Sequence, residues 1–153
     1  MVGDLLYGRT VHSLCYLLAK NYTIKKLFLV APSVVAMRSD ILTFLRKKNV
    51  SIKESHNLTT ILPQCDVVYQ TRIQKERFGD RIDEYAQAQG QYTIGKKELA
   101  RMKKDAIVMH PLPRVGEIDP AIDTDSRATY FRQAHNGLYV RMALLKILLG
   151  KKK

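Results

Sequence analysis

The sequence predicts a three-layer α/β/α fold around a mostly parallel sheet of about five strands. Helical and extended patterns alternate along the whole chain. The runs Leu27-Phe28-Leu29-Val30 and Ile107-Val108-Met109 are apolar on both faces, as strands covered by helices on either side must be. A length of 153 residues suits one domain with a real core.

The candidate strands, in order, are residues 1–6, 26–31, 50–54, 66–69 and 106–110. The first runs into a helix that places Val11, Leu14, Cys15 and Leu18 on one face. A second helix turns Ile41, Leu42 and Leu45 inward and stops at Arg46-Lys47-Lys48-Asn49, where cations complement the carbonyl end of a helix. Residues 59–64 give at most one turn of helix, and residues 96–104 a longer helix with Leu99 and Met102 inward. The polar, glycine-punctuated stretch 76–91 reads as a mobile loop with some helix. The last helix, about residues 130–149, carries the strongest periodic signal: Phe131, Ala134, Leu138, Met142, Leu145 and Leu149 form one stripe, widened by Tyr139, Leu144 and Leu148. That is more apolar surface than one sheet face needs, so a second surface is expected to cover it. Residues 1–150 are expected to form the domain and 151–153 a basic tail.

A net charge of +12 invites acidic partners. The lysines, however, cluster at expected helix ends, in turns and at the terminus, and no RNA motif, zinc finger or basic recognition helix accompanies them, so nucleic-acid binding is not expected. Neither a leader peptide nor a run of about 18 apolar residues appears, which predicts no membrane partner and a cytoplasmic location. Cys15 and Cys65 lie outside any Cys-x-x-Cys pattern and read as buried free thiols, with no metal and no cofactor expected.

Ligands of open α/β sheets bind beyond the carboxyl ends of the strands, and three such ends carry unusual residues. The first leads into Gly8-Arg9-Thr10, a glycine turn with a forked cation and a potential cap at a helix start, an anion site in miniature. The fourth leads into Thr71-Arg72-Ile73-Gln74, where alternation sends a guanidinium and an amide the same way. The fifth leads into His110-Pro111-Leu112-Pro113-Arg114. Two prolines there fix the backbone, remove two N–H groups and leave carbonyl oxygens to accept from an amine or amide, with a cis peptide bond compatible and His110 a candidate to orient the loop. Two separated arginines suit a small molecule with two carboxylates. His12 and His56 read as surface or hydrogen-bonded residues, and His135 as architectural.

The stretches Val2-Gly3-Asp4-Leu5, Tyr7-Gly8-Arg9-Thr10-Val11-His12-Ser13-Leu14, Thr71-Arg72-Ile73-Gln74-Lys75-Glu76-Arg77 and Met109-His110-Pro111-Leu112-Pro113-Arg114, followed by Tyr130-Phe131-Arg132-Gln133-Ala134 and Asn136-Gly137, resemble the aspartate carbamoyltransferase family along essentially the whole chain. The resemblance implies a Rossmann-like domain that binds L-aspartate and accepts a carbamoyl group from carbamoyl phosphate in pyrimidine biosynthesis. Arg9 and Thr10 would hold the α-carboxylate, Arg72 and Gln74 the side-chain carboxylate, and Pro111, Leu112 and Pro113 would form the loop that meets the carbamoyl group. The family's carbamoyl-phosphate-binding domain is not represented here. The last helix would dock on it, the isolated chain would turn over little or nothing, and a homo-oligomer stays open because the family's trimer contacts lie largely in the other half. Ornithine-specific members are expected to place cysteine where Pro111 stands. The rival readings are another amino-acid carbamoyltransferase and a non-catalytic interaction module of the same fold.

Overall fold

A computed structural model describes residues 1–150; the expected basic tail, 151–153, lies outside the described residues. The elements run α1 (Arg9–Asn21), β1 (Leu27–Val30), α2 (Ser39–Lys47), β2 (Ile52–Ser55), α3 (Leu58–Ile61), β3 (Val67–Tyr69), α4 (Ile82–Ala88), α5 (Lys96–Leu99), β4 (Ile107–Met109) and α6 (Tyr130–Leu149). Single turns of 3-10 helix occur at Ser33–Val35, Leu62–Gln64, Lys75–Arg77 and Pro120–Ile122.

The expected parallel α/β architecture is present, with four strands in two parallel pairs, β1 with β2 and β3 with β4. The expected first strand contracts to a single residue. Val2 bridges Val30 on one side and Gln70 on the other, both in parallel sense, and so joins the two pairs. Gly3 ends the extended run: its φ is +106°, and a Cβ there would lie 2.2 Å from the Thr71 carbonyl oxygen, so the backbones approach as only glycine permits. On the far side, Val108 bridges Ala128.

Side chains alternate across this sheet and supply two cores. Phe28, Val30, Val68 and Val108 face one apolar cluster with Leu58, Ile61, Leu99, Ile118, Ile122 and Tyr130. Leu27, Leu29 and Tyr69 face the other, with Val11, Cys15, Ile41, Leu42 and Leu45 from α1 and α2. A fully buried leucine such as Leu45 contributes about 2 kcal/mol. Cys15 is buried as expected, and that burial pushes its thiol up to about 11; Cys65 is only half-buried.

One segment differs from expectation. The helix expected over 96–104 stops at Leu99, where Arg101 and Met102 close tighter turns onto Glu98 and Leu99, which still buries Leu99 and Met102. The stretch 76–91 is a loop with some helix as expected; the helix is α4, anchored by buried Phe78, whose ring meets Tyr85 edge-on at 5.5 Å. In α6 only Tyr130 is buried, and the apolar stripe beyond it is open.

Candidate functional site

Parallel pairing sends the segments after Val2, β3 and β4 out at one end of the sheet. They carry Arg9 and Thr10, Arg72 and Gln74, and Pro111 to Pro113 respectively. A buried residue, Asp4, ties the first two together. It interrupts an apolar run, and burying its carboxylate is costly. Its Oδ1 accepts the Tyr7 N–H at 2.8 Å, while its Oδ2 has no hydrogen-bond partner among the described residues. Burial raises its pKa, and the nearby N–H groups of Tyr7, Gln74 and Leu6 oppose the rise without cancelling it. In return the Asp4 N–H donates to Thr71 Oγ1 at 3.0 Å, and that hydroxyl donates to the Val2 carbonyl at 3.1 Å.

The glycine turn then starts α1. A Cβ on Gly8 would lie 2.3 Å from the Asp4 carbonyl oxygen, and the Gly8 carbonyl accepts from Val11 at 2.9 Å and His12 at 3.1 Å. Gly8, not Thr10, therefore occupies the cap position, because Thr10 already lies in the first turn. At the end of β3 burial raises the Tyr69 phenol, and the nearby Thr10 hydroxyl opposes the rise. His12 is buried, its Nε2–H donating to the Leu5 carbonyl at 2.9 Å, and His56 Nδ1–H donates to the Ala31 carbonyl at 2.7 Å.

Arg9 and Thr10 are exposed at the start of α1. The Arg72 guanidinium pairs with Glu76 and lines a cavity of about 300 Å³, together with Gly3, Gln70, Thr71, Tyr92 and Glu117. Neither Arg9, Thr10, Gln74 nor the three residues of the proline loop lines it. Gln74 turns its Oε1 to Arg77 Nε at 3.3 Å. The three strand tips thus share one edge of the molecule, and Arg72 alone among the candidates also faces the cavity beside them.

The proline loop is held from beneath. Leu112 has φ +52°, precedes a cis bond to Pro113, and donates its N–H to His110 Nδ1 at 2.8 Å. His110 Nε2 lies 2.7 Å from Glu117 Oε1, and the His110 N–H donates to Gln133 Oε1 at 3.1 Å. Burial alone would raise the Glu117 carboxyl; the adjacent His110 ring and the Glu117 and Val115 N–H groups hold it below its usual value. Among the described residues none donates a hydrogen bond to the carbonyl oxygens of Pro111, Leu112 or Pro113. At the loop's exit Arg114 pairs with Asp123, its Nη2 2.6 Å from Oδ2, and stacks over the rings of Tyr130 and Phe131.

Sequence reasoning missed Asp4, Thr71, Glu117 and Gln133 as parts of this framework. Asp4 carried a signal, a lone carboxylate in an apolar run. Gln133 carried none, since its partner is 23 residues away. Among the described residues no group of His, Cys, Asp and Glu is arranged to hold a metal ion, and no helix is long and apolar enough to cross a membrane.

The family model described as aspartate/ornithine carbamoyltransferase, Asp/Orn binding domain, matches residues 1–148. The chloroplastic aspartate carbamoyltransferase of Oryza sativa subsp. japonica is 56% identical over 149 residues, covering 97% of this chain and 41% of the rice protein. The Trypanosoma cruzi aspartate transcarbamoylase solved with aspartate and phosphate is 43% identical with a TM-score of 0.83, over 94% of this chain and 44% of that one. The catalytic subunit of the M. jannaschii enzyme is 44% identical with a TM-score of 0.85, over 97% and 47% respectively. The chain spans about two fifths of the length of the curated plant relatives it matches.

Proposed function

The chain belongs to the aspartate/ornithine carbamoyltransferase family, and from that premise we propose that it forms the L-aspartate-binding half of an aspartate carbamoyltransferase. One observation carries the reading. The buried Asp4 N–H donates to Thr71 Oγ1 at 3.0 Å, which ties the turn leading to Arg9 to the strand end leading to Arg72, so the two cationic tips are held side by side. Arg9 and Thr10 then hold the α-carboxylate of aspartate, and Arg72 and Gln74 its side-chain carboxylate, which uses the planar fork of arginine for what it recognises best.

Pro111, Leu112 and Pro113 offer carbonyl oxygens to the carbamoyl group. Carbamoyl phosphate arrives on a separate domain, and the apolar stripe of α6 docks there. The aspartate amine attacks the carbonyl carbon and forms the C–N bond, the tetrahedral oxyanion is stabilised by fixed charge, and its collapse breaks the C–O bond to phosphate, which leaves with the amine proton, so catalysis is orientation plus electrostatics. The product, N-carbamoyl-aspartate, belongs to pyrimidine biosynthesis. This half alone turns over little or nothing. A cytoplasmic site of action is part of the proposal; the plant relatives, named chloroplastic, make the organelle the competing location.

The test is to mix the chain with a separately made carbamoyl-phosphate domain and measure carbamoyl-aspartate. We expect product from the pair, none from either half, and at least about a hundredfold loss with Arg9→Ala or Arg72→Ala. Ornithine accepted in preference to aspartate would move the substrate assignment. No turnover by two folded halves would favour a non-catalytic module.

A further inference from the structure

The loop after β4 is made of two residues that have no N–H, Pro111 and Pro113, and one whose N–H is already taken, Leu112. We infer that His110 is a positioning residue: its imidazole withdraws the loop's last backbone donor and leaves a rim of carbonyl oxygens that admits only N–H groups. The rim follows from the geometry. The identity of its guest, a carbamoyl amide or an amino-acid ammonium, rests on the proposed function.

One hydrogen bond assigns the tautomer. Nδ1 receives the Leu112 N–H at 2.8 Å and so carries no proton, which places the ring proton on Nε2, 2.7 Å from Glu117 Oε1 and facing its negative charge without an aligned hydrogen bond. In the opposite tautomer a ring proton would face the Leu112 N–H and a lone pair would face a carboxylate, so both contacts would turn repulsive. The ring is 1% exposed, and water cannot substitute for either partner. The main chain is fixed too, since the His110 N–H donates to Gln133 on α6. At φ +52°, Leu112 is in the left-handed region, which disfavours a branched side chain, and that turn brings its N–H back toward the ring two residues earlier. An N–H left free at Leu112 would repel an arriving amine or amide and attract the wrong end of a substrate. With it removed, the carbonyls of Pro111, Leu112 and Pro113 are acceptors only.

Asparagine and glutamine separate the two nitrogens chemically. The asparagine carbonyl falls near Nδ1 and can still take the Leu112 N–H, whereas the glutamine amide reaches toward Nε2 and cannot. In the chain paired with a carbamoyl-phosphate domain, His110→Asn should keep kcat within about threefold of the unsubstituted protein. His110→Gln should lower kcat more than about tenfold, with the KM for aspartate changed less than about threefold. Equal losses in both variants, or a rise in KM alone, would overturn the inference.

A second measurement needs no turnover. Nitrogen-resolved NMR of the chain alone should place the His110 proton on Nε2, and the Leu112 amide should exchange slowly with solvent. A proton on Nδ1, or a fast-exchanging Leu112 amide in the folded chain, overturns the inference even if both variants fail to fold. If aspartate proves no substrate of the paired protein while the Nε2–H tautomer and the protected amide are both found, the proposed function falls and the acceptor rim stands.

Discussion

The strand-tip edge and the last helix treat their awkward groups in opposite ways. At the strand tips buried polar groups are bound into the fold: the Asp4 carboxylate by the Tyr7 N–H, the Thr71 hydroxyl by two main-chain partners, and His110 by Leu112 and Gln133. Along α6 nothing comparable happens. Past Tyr130 the stripe of Leu138, Met142, Leu145 and Leu149 stands open, from 51% exposed at Leu138 to 78% at Leu149. Polar groups matched in advance hold a geometry, as a recognition site requires. A contiguous apolar face left bare has the character of a surface made for another surface.

The sharpest way to break this comparison is one substitution on each side. Asp4→Ala strips the acceptor from the Tyr7 N–H and should cost about 2 kcal/mol, or roughly 4–8 °C in Tm. It should also weaken aspartate binding, because it loosens the turn that leads to Arg9. Leu145→Ala, on the open stripe of α6, should stay within about 0.5 kcal/mol in the isolated chain. Denaturant unfolding of both variants decides the matter: a Leu145→Ala loss as large as that of Asp4→Ala would mean that α6 is buried in solution and that the contrast is false.

Tyr130 stands where the two regimes meet, buried at the foot of α6 with its hydroxyl on Asp123 and Arg114. Tyr130→Phe keeps the ring in its core and removes only that hydroxyl. A bond to a charged carboxylate that is partly open to solvent should be worth about 1.5 kcal/mol. An unchanged midpoint in urea would show that the cluster at the loop exit does not anchor the helix.

How much of this was legible in the sequence follows from the range of each signal. Period and composition gave β1, buried as read, β4, of which only Val108 is fully buried, and α6 with its surplus stripe, because those signals are local and repeated. The paired prolines likewise announced a loop short of donors. The first strand was overread, since an apolar run says nothing of the Gly3 backbone packed against Thr71. The helix expected over 96–104 was overextended, since Leu99 and Met102 are as well buried by a tight turn as by a second helical turn. Thr10 suits a cap by residue type, but the close turn at Gly8 starts α1 one residue before it and takes the cap position. What joins the strand tips, Asp4 to Thr71 and His110 to Gln133, spans far more sequence than any local pattern reports.

The smallest effect sharpens the comparison by its sign. Hydrogen bonding to Arg114, helped by Tyr130 and opposed by burial, holds Asp123 at about 2, below its ordinary 3.8. Its charged form is the one the fold favours, so the stability it supplies is present above pH 3.8 and is lost as pH falls through about 2. Asp4 shifts the other way, raised by burial, so its contribution is greatest below 3.8 and is lost as pH rises through its raised value. The two therefore act in adjacent windows and with opposite sign. Asp123→Asn should flatten the fall in stability between about pH 4 and pH 2, whereas Asp4→Asn should remove the gain in stability that the unsubstituted chain makes on acidification from above pH 3.8 down to 3.8. The Asp123 pair is partly open to solvent, so its part stays below about 1 kcal/mol. Unfolding free energies measured in urea from pH 2 to 6 separate the outcomes, and an Asp4→Asn variant that flattens the fall below pH 4 as Asp123→Asn does would show that Asp4 is not a desolvated carboxylate.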